Sequence, residues 1–199
     1  SRIEKEKGFF ELLKNKYNFK NALDVGCGTG ANSIILSSLC IDTIGIDPSL
    51  GMIEKAKLNA KSFNNIKFYQ ETLEQHSEKN QNKYDAIFFM GNGLAHIIER
   101  TKLITFINAL KNLLSSNSIF VFQILNYDRI FIERERIINI REVKNNLFIR
   151  FYDFLDNNKL NFNILIIQRE NPNLLKHKLI STTLYGYTYS EILKLFTEY

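Results

Sequence analysis

Short apolar runs alternate with longer amphipathic stretches along the first part of the chain. Five apolar runs have the length of buried strands, and they cover residues 22–25, 43–46, 66–69, 84–90 and 119–125. Several of the intervening segments place apolar residues at helical spacing, most clearly over residues 103–114. Strands that alternate with helices predict βαβ units and a parallel sheet that is buried on both faces.

Further helices are predicted around these runs. Amphipathic spacing predicts helices over residues 3–17 and 31–39, and Ser49 is a suitable N-cap for a helix that follows the second strand. Residues 71–83 are mostly polar, so we predict a loop with about one helical turn in this segment.

The pattern changes after the fifth apolar run. Four segments mix polar and apolar positions as strands do, with no helical pattern between them: residues 137–143, 146–155, 159–168 and 176–184. Asp156-Asn157-Asn158 has the composition of a hairpin turn. We therefore predict a doubly wound, mainly parallel α/β core over residues 1–130 and an antiparallel β lid over 131–187. A helix over 188–199, capped by Ser190, is expected to return to the core, so that the chain forms one structural domain with an insertion.

Composition narrows the classes of protein. The 199 residues include 26 Lys and Arg against 21 Asp and Glu, a net charge of +5, but no run of five basic residues. Nucleic-acid surfaces usually cluster their basic residues, so we expect no nucleic-acid partner. Two cysteines are too few for a disulfide framework and fit a reducing compartment. No apolar run reaches the roughly 18 residues of a membrane helix, and the charged N-terminus does not resemble a signal peptide. We expect a cytoplasmic protein with no membrane partner.

The strongest chemical signal is the segment from Asp24 to Gly30, where a strand ends, Gly26, Gly28 and Gly30 alternate with other residues, and a helix begins. Such glycines let a ligand approach the backbone at a helix N-terminus, whose N–H groups lack partners within the helix. Asp47 ends the next strand, at the edge where such sheets bind ligands, and its carboxylate suits the two hydroxyls of a ribose. The alternatives are a turn without a ligand and an Asp47 that only stabilises the next helix. A nicotinamide dehydrogenase is the weakest alternative, because its glycine spacing is G-x-G-x-x-G.

These residues resemble the glycine motif and the ribose-binding acid of the class I S-adenosylmethionine-dependent methyltransferases. The segments Gly91–His96 and Asn126-Tyr127-Asp128 are similar to the small-molecule branch that contains the glycine and sarcosine N-methyltransferases. The resemblance covers nearly the whole chain. It implies a Rossmann-like methyltransferase fold with S-adenosylmethionine as the cofactor.

The resemblance also implies which residues bind the cofactor. Met90 would offer its backbone carbonyl to the ammonium group, and Arg2 stands where that branch places an arginine for the carboxylate. Thr72 stands where an acid often reads the adenine amino group, with Leu73 beside it. A solvated Arg2 without a ligand is the alternative. The full implied set is Arg2, Gly26, Cys27, Gly28, Gly30, Asp47, Pro48, Met52, Thr72, Leu73, Met90 and Gly91.

Three residues stand where the resemblance places the methyl acceptor, and they are the candidate catalytic residues: Asn92, His96 and Tyr127. His96 acts either as a general base or as a structural residue of the cofactor loop. Tyr127 either points its hydroxyl at the acceptor or packs. His76 has no partner pattern, no cluster of ligating residues predicts a metal site, and no histidine adjacent to Cys27 supports a nucleophile.

We expect an enzyme that transfers a methyl group to a nitrogen or oxygen of a small-molecule acceptor by in-line displacement, with the protein aligning and desolvating the acceptor. Leu125 replaces an arginine that binds the substrate carboxylate in the resembled N-methyltransferases, so glycine and sarcosine should be poor substrates. The alternatives are a nucleic-acid methyltransferase and a non-catalytic S-adenosylmethionine-binding protein. The family continues past the last helix with two more strands. We therefore expect either further chain or a partner, such as a second copy in a homo-oligomer, to cover the edge of the fifth strand.

Overall fold

The computed structural model of the chain describes residues 2–171 and 174–198, without the side chains of residues 2, 3, 5, 170, 171 and 174. The chain divides into two compact units. The first consists of residues 1–94 and 99–124, and the second of residues 95–98 and 125–199.

The first unit contains a five-stranded parallel sheet with the strand order β3-β2-β1-β4-β5. The chain runs outward from β1 in one direction and then from β4 in the other, so the order reverses between these two strands. Crevices form at the carboxyl ends of the strands at such a reversal. The elements of the first unit are α1 (Arg2–Tyr17), β1 (Asn21–Val25), α2 (Ala31–Ser38), β2 (Asp42–Ile46), α3 (Leu50–Asn59), β3 (Ile66–Tyr69), α4 (Leu73–Lys79), β4 (Tyr84–Phe89), α5 (Arg100–Leu113) and β5 (Leu114–Phe122).

Two clusters of buried side chains pack on this sheet. In one cluster the ring of Phe88 lies 5.1 Å from the ring of Phe10 and 5.7 Å from that of Phe19. In the other cluster Ile53 of α3 packs with Phe68 of β3. Buried aromatic rings contribute a large part of the hydrophobic stabilisation of a core, and here they fix the helices against the strands.

The second unit contains a four-stranded antiparallel sheet with the strand order β6-β7-β8-β9. Leu160, Leu184 and Tyr152 are buried on this sheet. The short segment 95–98 belongs to the unit, and the Tyr187 hydroxyl donates a hydrogen bond of 2.5 Å to the carbonyl oxygen of Ile97. The elements of the unit are α6 (Tyr127–Glu133), β6 (Ile137–Val143), β7 (Asn146–Phe154), β8 (Lys159–Asn171), β9 (Leu174–Tyr185) and α7 (Tyr189–Glu198).

The predicted fold class is confirmed, with a parallel sheet flanked by helices and a separate antiparallel sheet after it. The predicted hairpin turn is also confirmed. Asn157 and Asn158 both have a φ of 57°, a left-handed conformation that asparagine tolerates better than most residues. This turn joins β7 to β8.

Four local predictions were wrong. The polar stretch after β3 holds the two-turn helix α4, and Tyr127–Glu133 forms α6 where no helix was predicted. Helix α7 is capped by Thr188 rather than Ser190, because the Thr188 hydroxyl oxygen accepts from the Glu191 N–H and the Glu191 carboxylate accepts from the Thr188 N–H. Strand β5 begins at Leu114, five residues earlier than the apolar run at 119–125.

The helices that the structure describes include none that is long and apolar enough to cross a membrane.

Candidate functional site

The glycine turn joins the end of β1 to the start of α2. Gly30 is the N-cap of α2 and has a φ of 82°. A Cβ atom on Gly30 would lie 2.9 Å from the Phe68 ring and 3.1 Å from the Ala56 methyl group. Only glycine fits this position, and without a side chain the cap leaves the N-terminal end of α2 uncovered for a ligand.

Asp47 ties the glycine turn to the loop after β2. Its Oδ2 accepts a hydrogen bond of 3.0 Å from the Gly28 N–H, and its Oδ1 accepts one of 2.8 Å from the Ser49 N–H. Asp47 is 9% exposed. Each carboxylate oxygen has two lone pairs, so both oxygens keep the capacity to accept a further hydrogen bond from a ligand hydroxyl. The arrangement therefore fits a ribose at the carboxyl ends of β1 and β2.

Asp24 lies under the glycine turn at the end of β1 and is 1% exposed. Its Oδ2 accepts a hydrogen bond of 2.5 Å from the Ser33 hydroxyl, which joins β1 to the first turn of α2. Burial, with a smaller contribution from the charge of Asp47, raises the pKa of Asp24 to about 7 against the lowering effect of the Ser33 bonds. The carboxyl group thus changes its charge within the physiological pH range.

The loops after β2 and β3 are bonded to each other. The Gln70 side chain donates to the carbonyl oxygen of Pro48 over 3.2 Å, and the Asp47 N–H donates to Tyr69. Thr72 is the N-cap of α4, with its hydroxyl oxygen accepting from the Gln75 N–H over 3.3 Å. The structure brings Pro48 and Thr72 to the same edge of the sheet as Asp47. Two other predicted contacts lie in the first turns of the adjoining helices: Met52 is 45% exposed, whereas Leu73 is buried.

His76 lies in a buried polar cluster that the sequence analysis missed. It is 1% exposed; its Nδ1 lies 2.8 Å from the Glu71 carboxylate and its Nε2 lies 2.8 Å from the Tyr84 hydroxyl. Lys79 donates to the other oxygen of Glu71 over 2.8 Å. Although partial burial alone would raise the pKa of Glu71, the bonds from Lys79 and His76 lower it. The cluster fixes Glu71, which directly precedes Thr72, and the capping-box pattern Thr72-x-x-Gln75 was the sequence signal for α4.

Another group of predicted residues lies at the turn after β4. The Gly91 N–H donates to Gln123 Oε1 over 3.2 Å, and the Asn92 N–H donates to the Gln123 carbonyl oxygen over 3.0 Å. A cavity of about 390 Å³ opens beside this turn, and its lining includes Glu6, Phe9, Asn32, Met90, Gly91 and Gln123. The Arg2 side chain, predicted to bind the cofactor carboxylate, lies outside the described residues.

The structure divides the candidate catalytic residues between the two units. Asn92 belongs to the first unit, and His96 and Tyr127 belong to the second. His96 ends a 3₁₀ turn over Gly93–His96, and partial desolvation of its ring lowers its pKa below the usual value. A neutral imidazole is the form that can accept a proton or a hydrogen bond.

Tyr127 is completely buried at the start of α6. The Tyr127 ring packs against that of Phe131 with the centroids 6.1 Å apart. A Cβ atom on Gly186 would lie 2.8 Å from the Tyr127 ring. These contacts support the packing alternative for Tyr127. Its contact with an acceptor stays a prediction.

Cys27 is buried within the glycine turn. Burial, together with the nearby carboxylates of Asp24 and Asp47, raises the pKa of its thiol. The thiol therefore stays protonated and is a poor nucleophile. Among the described residues, no group of three or more His, Cys, Asp and Glu side chains is arranged to hold a metal ion.

Comparison with known proteins shows which family part of the first unit resembles. A family model described as "Methyltransferase domain" matches residues 22–117. A glycine/sarcosine N-methyltransferase from Parasynechococcus marenigrum is 27% identical over 131 residues, covering 65% of this chain and 46% of that relative. A ubiquinone biosynthesis O-methyltransferase from Aliivibrio fischeri is 35% identical over 72 residues, covering 36% of this chain and 31% of that relative. The matches thus span less than half of the length of either curated relative.

The fold agrees with a solved structure over almost the whole chain. An S-adenosylmethionine-dependent methyltransferase from Clostridium acetobutylicum superposes with a TM-score of 0.81 at 20% identity, covering 98% of this chain and 79% of that one. The structure is thus a doubly wound α/β protein with a glycine turn and a buried carboxylate, Asp47, where the strand order reverses. Residues 22–117 match a methyltransferase domain, and the chain is similar to the class I S-adenosylmethionine-dependent methyltransferases, as its glycine motif predicted. S-adenosylmethionine is the cofactor of that class.

Proposed function

We propose that the protein transfers a methyl group from S-adenosylmethionine to a nitrogen or oxygen of a small-molecule acceptor by in-line displacement. The observation that carries this proposal is the glycine turn, whose Gly28 N–H is bonded to the buried carboxylate of Asp47. The residues present fit the cofactor: Gly30 leaves space at the α2 N-terminus, and Asp47 keeps acceptor capacity for two hydroxyls.

The chain's own residues would bind and orient the reactants. Bound S-adenosylmethionine supplies a methyl group that the positive charge of its sulfonium already activates. Asp47 would hold the ribose, the residues around Thr72 and Leu73 the adenine, and the Met90 carbonyl oxygen the ammonium group. Because the methyl group is activated, the protein needs only to align the acceptor and keep it unprotonated and dry.

The acceptor we propose is a neutral amine or hydroxyl. The lowered pKa of His96 supports a neutral imidazole, which would take a proton from the methyl acceptor or orient that acceptor through a hydrogen bond. Asn92 would be a second polar contact of the acceptor. Leu125 stands where a carboxylate-binding arginine is expected, so glycine and sarcosine should be poor substrates. The curated relatives include both an N- and an O-methyltransferase, which supports a small-molecule acceptor without selecting the atom. The predicted lid role of the β6–β9 sheet is part of this proposal, and hydrogen exchange with and without cofactor tests it.

Calorimetry with S-adenosylmethionine and S-adenosylhomocysteine tests the proposal. We expect both ligands to bind, and Asp47→Ala to weaken binding at least about tenfold, because a charged hydrogen bond to the ribose is worth about 1.5–3 kcal/mol. Asp42→Ala is the matched control, since Asp42 is an exposed carboxylate at the opposite end of the same strand. If Asp47→Ala binds as tightly as Asp42→Ala, the ribose assignment is wrong.

A further inference from the structure

The turn after β4 has an unusual backbone. Gly91 and Asn92 have consecutive positive φ angles of 68° and 69°. A left-handed conformation costs energy for a residue other than glycine, so the surrounding structure must hold it in place. Among the cofactor and acceptor residues predicted from the sequence, Asn92 is the one non-glycine residue in this conformation in the described part of the chain.

Gln123 bonds both backbone N–H groups of this turn. It follows the last residue of β5, and its N–H donates to the Phe89 carbonyl oxygen over 3.1 Å. Its own carbonyl oxygen accepts from the Asn92 N–H over 3.0 Å, and its side-chain Oε1 accepts from the Gly91 N–H over 3.2 Å. A backbone N–H can only donate, so the amide oxygen of Gln123 must face Gly91. Both N–H groups of the turn are thus bonded to Gln123.

The bond to Gly91 also orients the carbonyl group of Met90. The Met90 C=O and the Gly91 N–H belong to one planar peptide unit, and the structure has no cis peptide bond among the described residues. In a trans peptide the C=O points away from the N–H, so fixing the N–H toward Gln123 fixes the C=O in the opposite direction. A hydrogen bond to the N–H also polarises the carbonyl oxygen of the same peptide unit.

We propose that Gln123 is a positioning residue that sets the Met90 carbonyl oxygen for the ammonium group at the amino-acid end of the cofactor. This inference rests on the proposed function. Met90, Gly91 and Gln123 line the same cavity at the carboxyl ends of β4 and β5. Gln123 acts through the Met90–Gly91 peptide and not through the nucleoside loops, where Asp47 and Gln70 make the hydrogen bonds.

Two ligands separate this role from a general structural one. S-adenosylhomocysteine has both the nucleoside and the amino-acid portion, whereas 5′-methylthioadenosine has the nucleoside and thioether without the ammonium group. A residue that positions the Met90 carbonyl oxygen for the ammonium group should affect the binding of S-adenosylhomocysteine only. A residue that merely supports the fold affects both.

Gln123→Met keeps the side-chain length but removes the amide oxygen. We expect it to lower the affinity for S-adenosylhomocysteine about fivefold, the effect of one neutral hydrogen bond. The affinity for 5′-methylthioadenosine should stay within about twofold of that of the parent. Gln123→Glu retains an acceptor oxygen for the Gly91 N–H and should restore the affinity. Gln123→Asn, one methylene shorter, should give the same split between the ligands as Gln123→Met. Isothermal calorimetry measures all four proteins.

Gln70→Met is the matched control, because Gln70 is also an exposed glutamine that bonds a loop at this edge of the sheet. We expect it to lower the affinity for both ligands, because the Pro48 loop is proposed to contact the nucleoside that both ligands contain. If Gln123→Met weakens both ligands equally, or neither, the positioning role is wrong. If the parent protein binds neither ligand, it is the proposed function that fails.

Discussion

The two sides of the strand reversal differ in how they are built. On the β2–β3 side, the loops are bonded to each other through Asp47 and Gln70, and the buried His76 cluster fixes the start of α4. On the β4–β5 side, one exposed residue, Gln123, bonds a turn with two left-handed residues. The first side is predicted to bind the nucleoside, and the second lies where the amino-acid end of the cofactor is predicted.

This difference suggests how the tasks are divided. The nucleoside predicted to bind the β2–β3 side would be the same in every turnover, so a loop network with many mutual bonds could hold it in one geometry. Gln123 bonds the other turn through its backbone N–H groups, so the side chains of that turn can differ from one acceptor to another. Substitutions on the nucleoside side should therefore change the binding of every adenosine ligand, and substitutions on the other side should change only ligands with the amino-acid portion.

The largest effect is expected for Gly30→Ala on the nucleoside side. The added methyl group would lie 2.9 Å from Phe68 in a residue with a φ of 82°, so we expect a loss of about 2–3 kcal/mol in the free energy of unfolding. Cofactor binding should fall more than about tenfold, because the turn itself must move. Denaturant unfolding and calorimetry measure the two effects.

Gly51→Ala is the control for this substitution. Gly51 lies in α3, and a Cβ atom there meets no atom within 4 Å. Alanine is the better helix former by about 0.8–1 kcal/mol, so this variant should be slightly more stable than the parent. Equal stability of the two variants would contradict the steric reading of the glycine turn.

The next largest effect is expected for His76→Leu. Leucine fills the space but leaves the Tyr84 hydroxyl and the Glu71 carboxylate without their partner, which should cost about 2 kcal/mol of unfolding free energy. The start of α4 should loosen, so the affinity for 5′-methylthioadenosine should also fall. His177→Leu on the exposed strand β9 is the control and should stay within about 0.5 kcal/mol of the parent. An unchanged nucleoside affinity in a folded His76→Leu protein would separate this cluster from the site.

A smaller effect concerns the pH dependence of stability. Burial raises the pKa of Asp24 to about 7 in the folded protein, from the ordinary value of 3.8 for an aspartate. Between about pH 4 and 7 the folded state therefore binds more protons at this residue than the unfolded state does, and its contribution to stability falls as the pH rises. Asp24→Asn cannot ionise, so the parent should lose at least about 1.4 kcal/mol, the equivalent of one pKa unit, relative to this variant across that window. Urea unfolding of both proteins from pH 4 to 8 measures the difference, and a constant difference would show that Asp24 does not titrate there.

The sequence predicted the parts of this site that depend on local pattern. Alternate glycines after an apolar run identified the β1–α2 turn, and Asp47 was placed correctly because it ends the next apolar run. Helix α4 was missed because it buries only Leu73 and His76, too few positions for a hydrophobic period. Its capping box was nevertheless visible in the sequence.

Gln123 was beyond the reach of local pattern. Its role depends on the register of β4 against β5, which pairs Phe89 with Phe122 and so brings the next residue beside the Met90–Asn92 turn. Nothing in the composition around Gln123 distinguishes it from a solvated residue at the end of a strand. The same holds for the partners of His76, since Tyr84 approaches it only after α4 packs on the sheet.

The smallest effect gives the sharpest comparison between the two sides. Gly28 and Gly91 have similar positive φ angles of 55° and 68°, and a Cβ atom on either would meet no atom within 4 Å. Alanine at either position should thus cost the same backbone strain, about 1 kcal/mol. Gly28→Ala should weaken S-adenosylhomocysteine and 5′-methylthioadenosine together, because the Gly28 N–H is bonded to Asp47. Gly91→Ala should weaken only S-adenosylhomocysteine. Thermal unfolding checks that the two variants are equally stable, so that their ligand affinities can be compared directly. If both variants lose affinity for the same ligands, the functional distinction between the two sides is wrong.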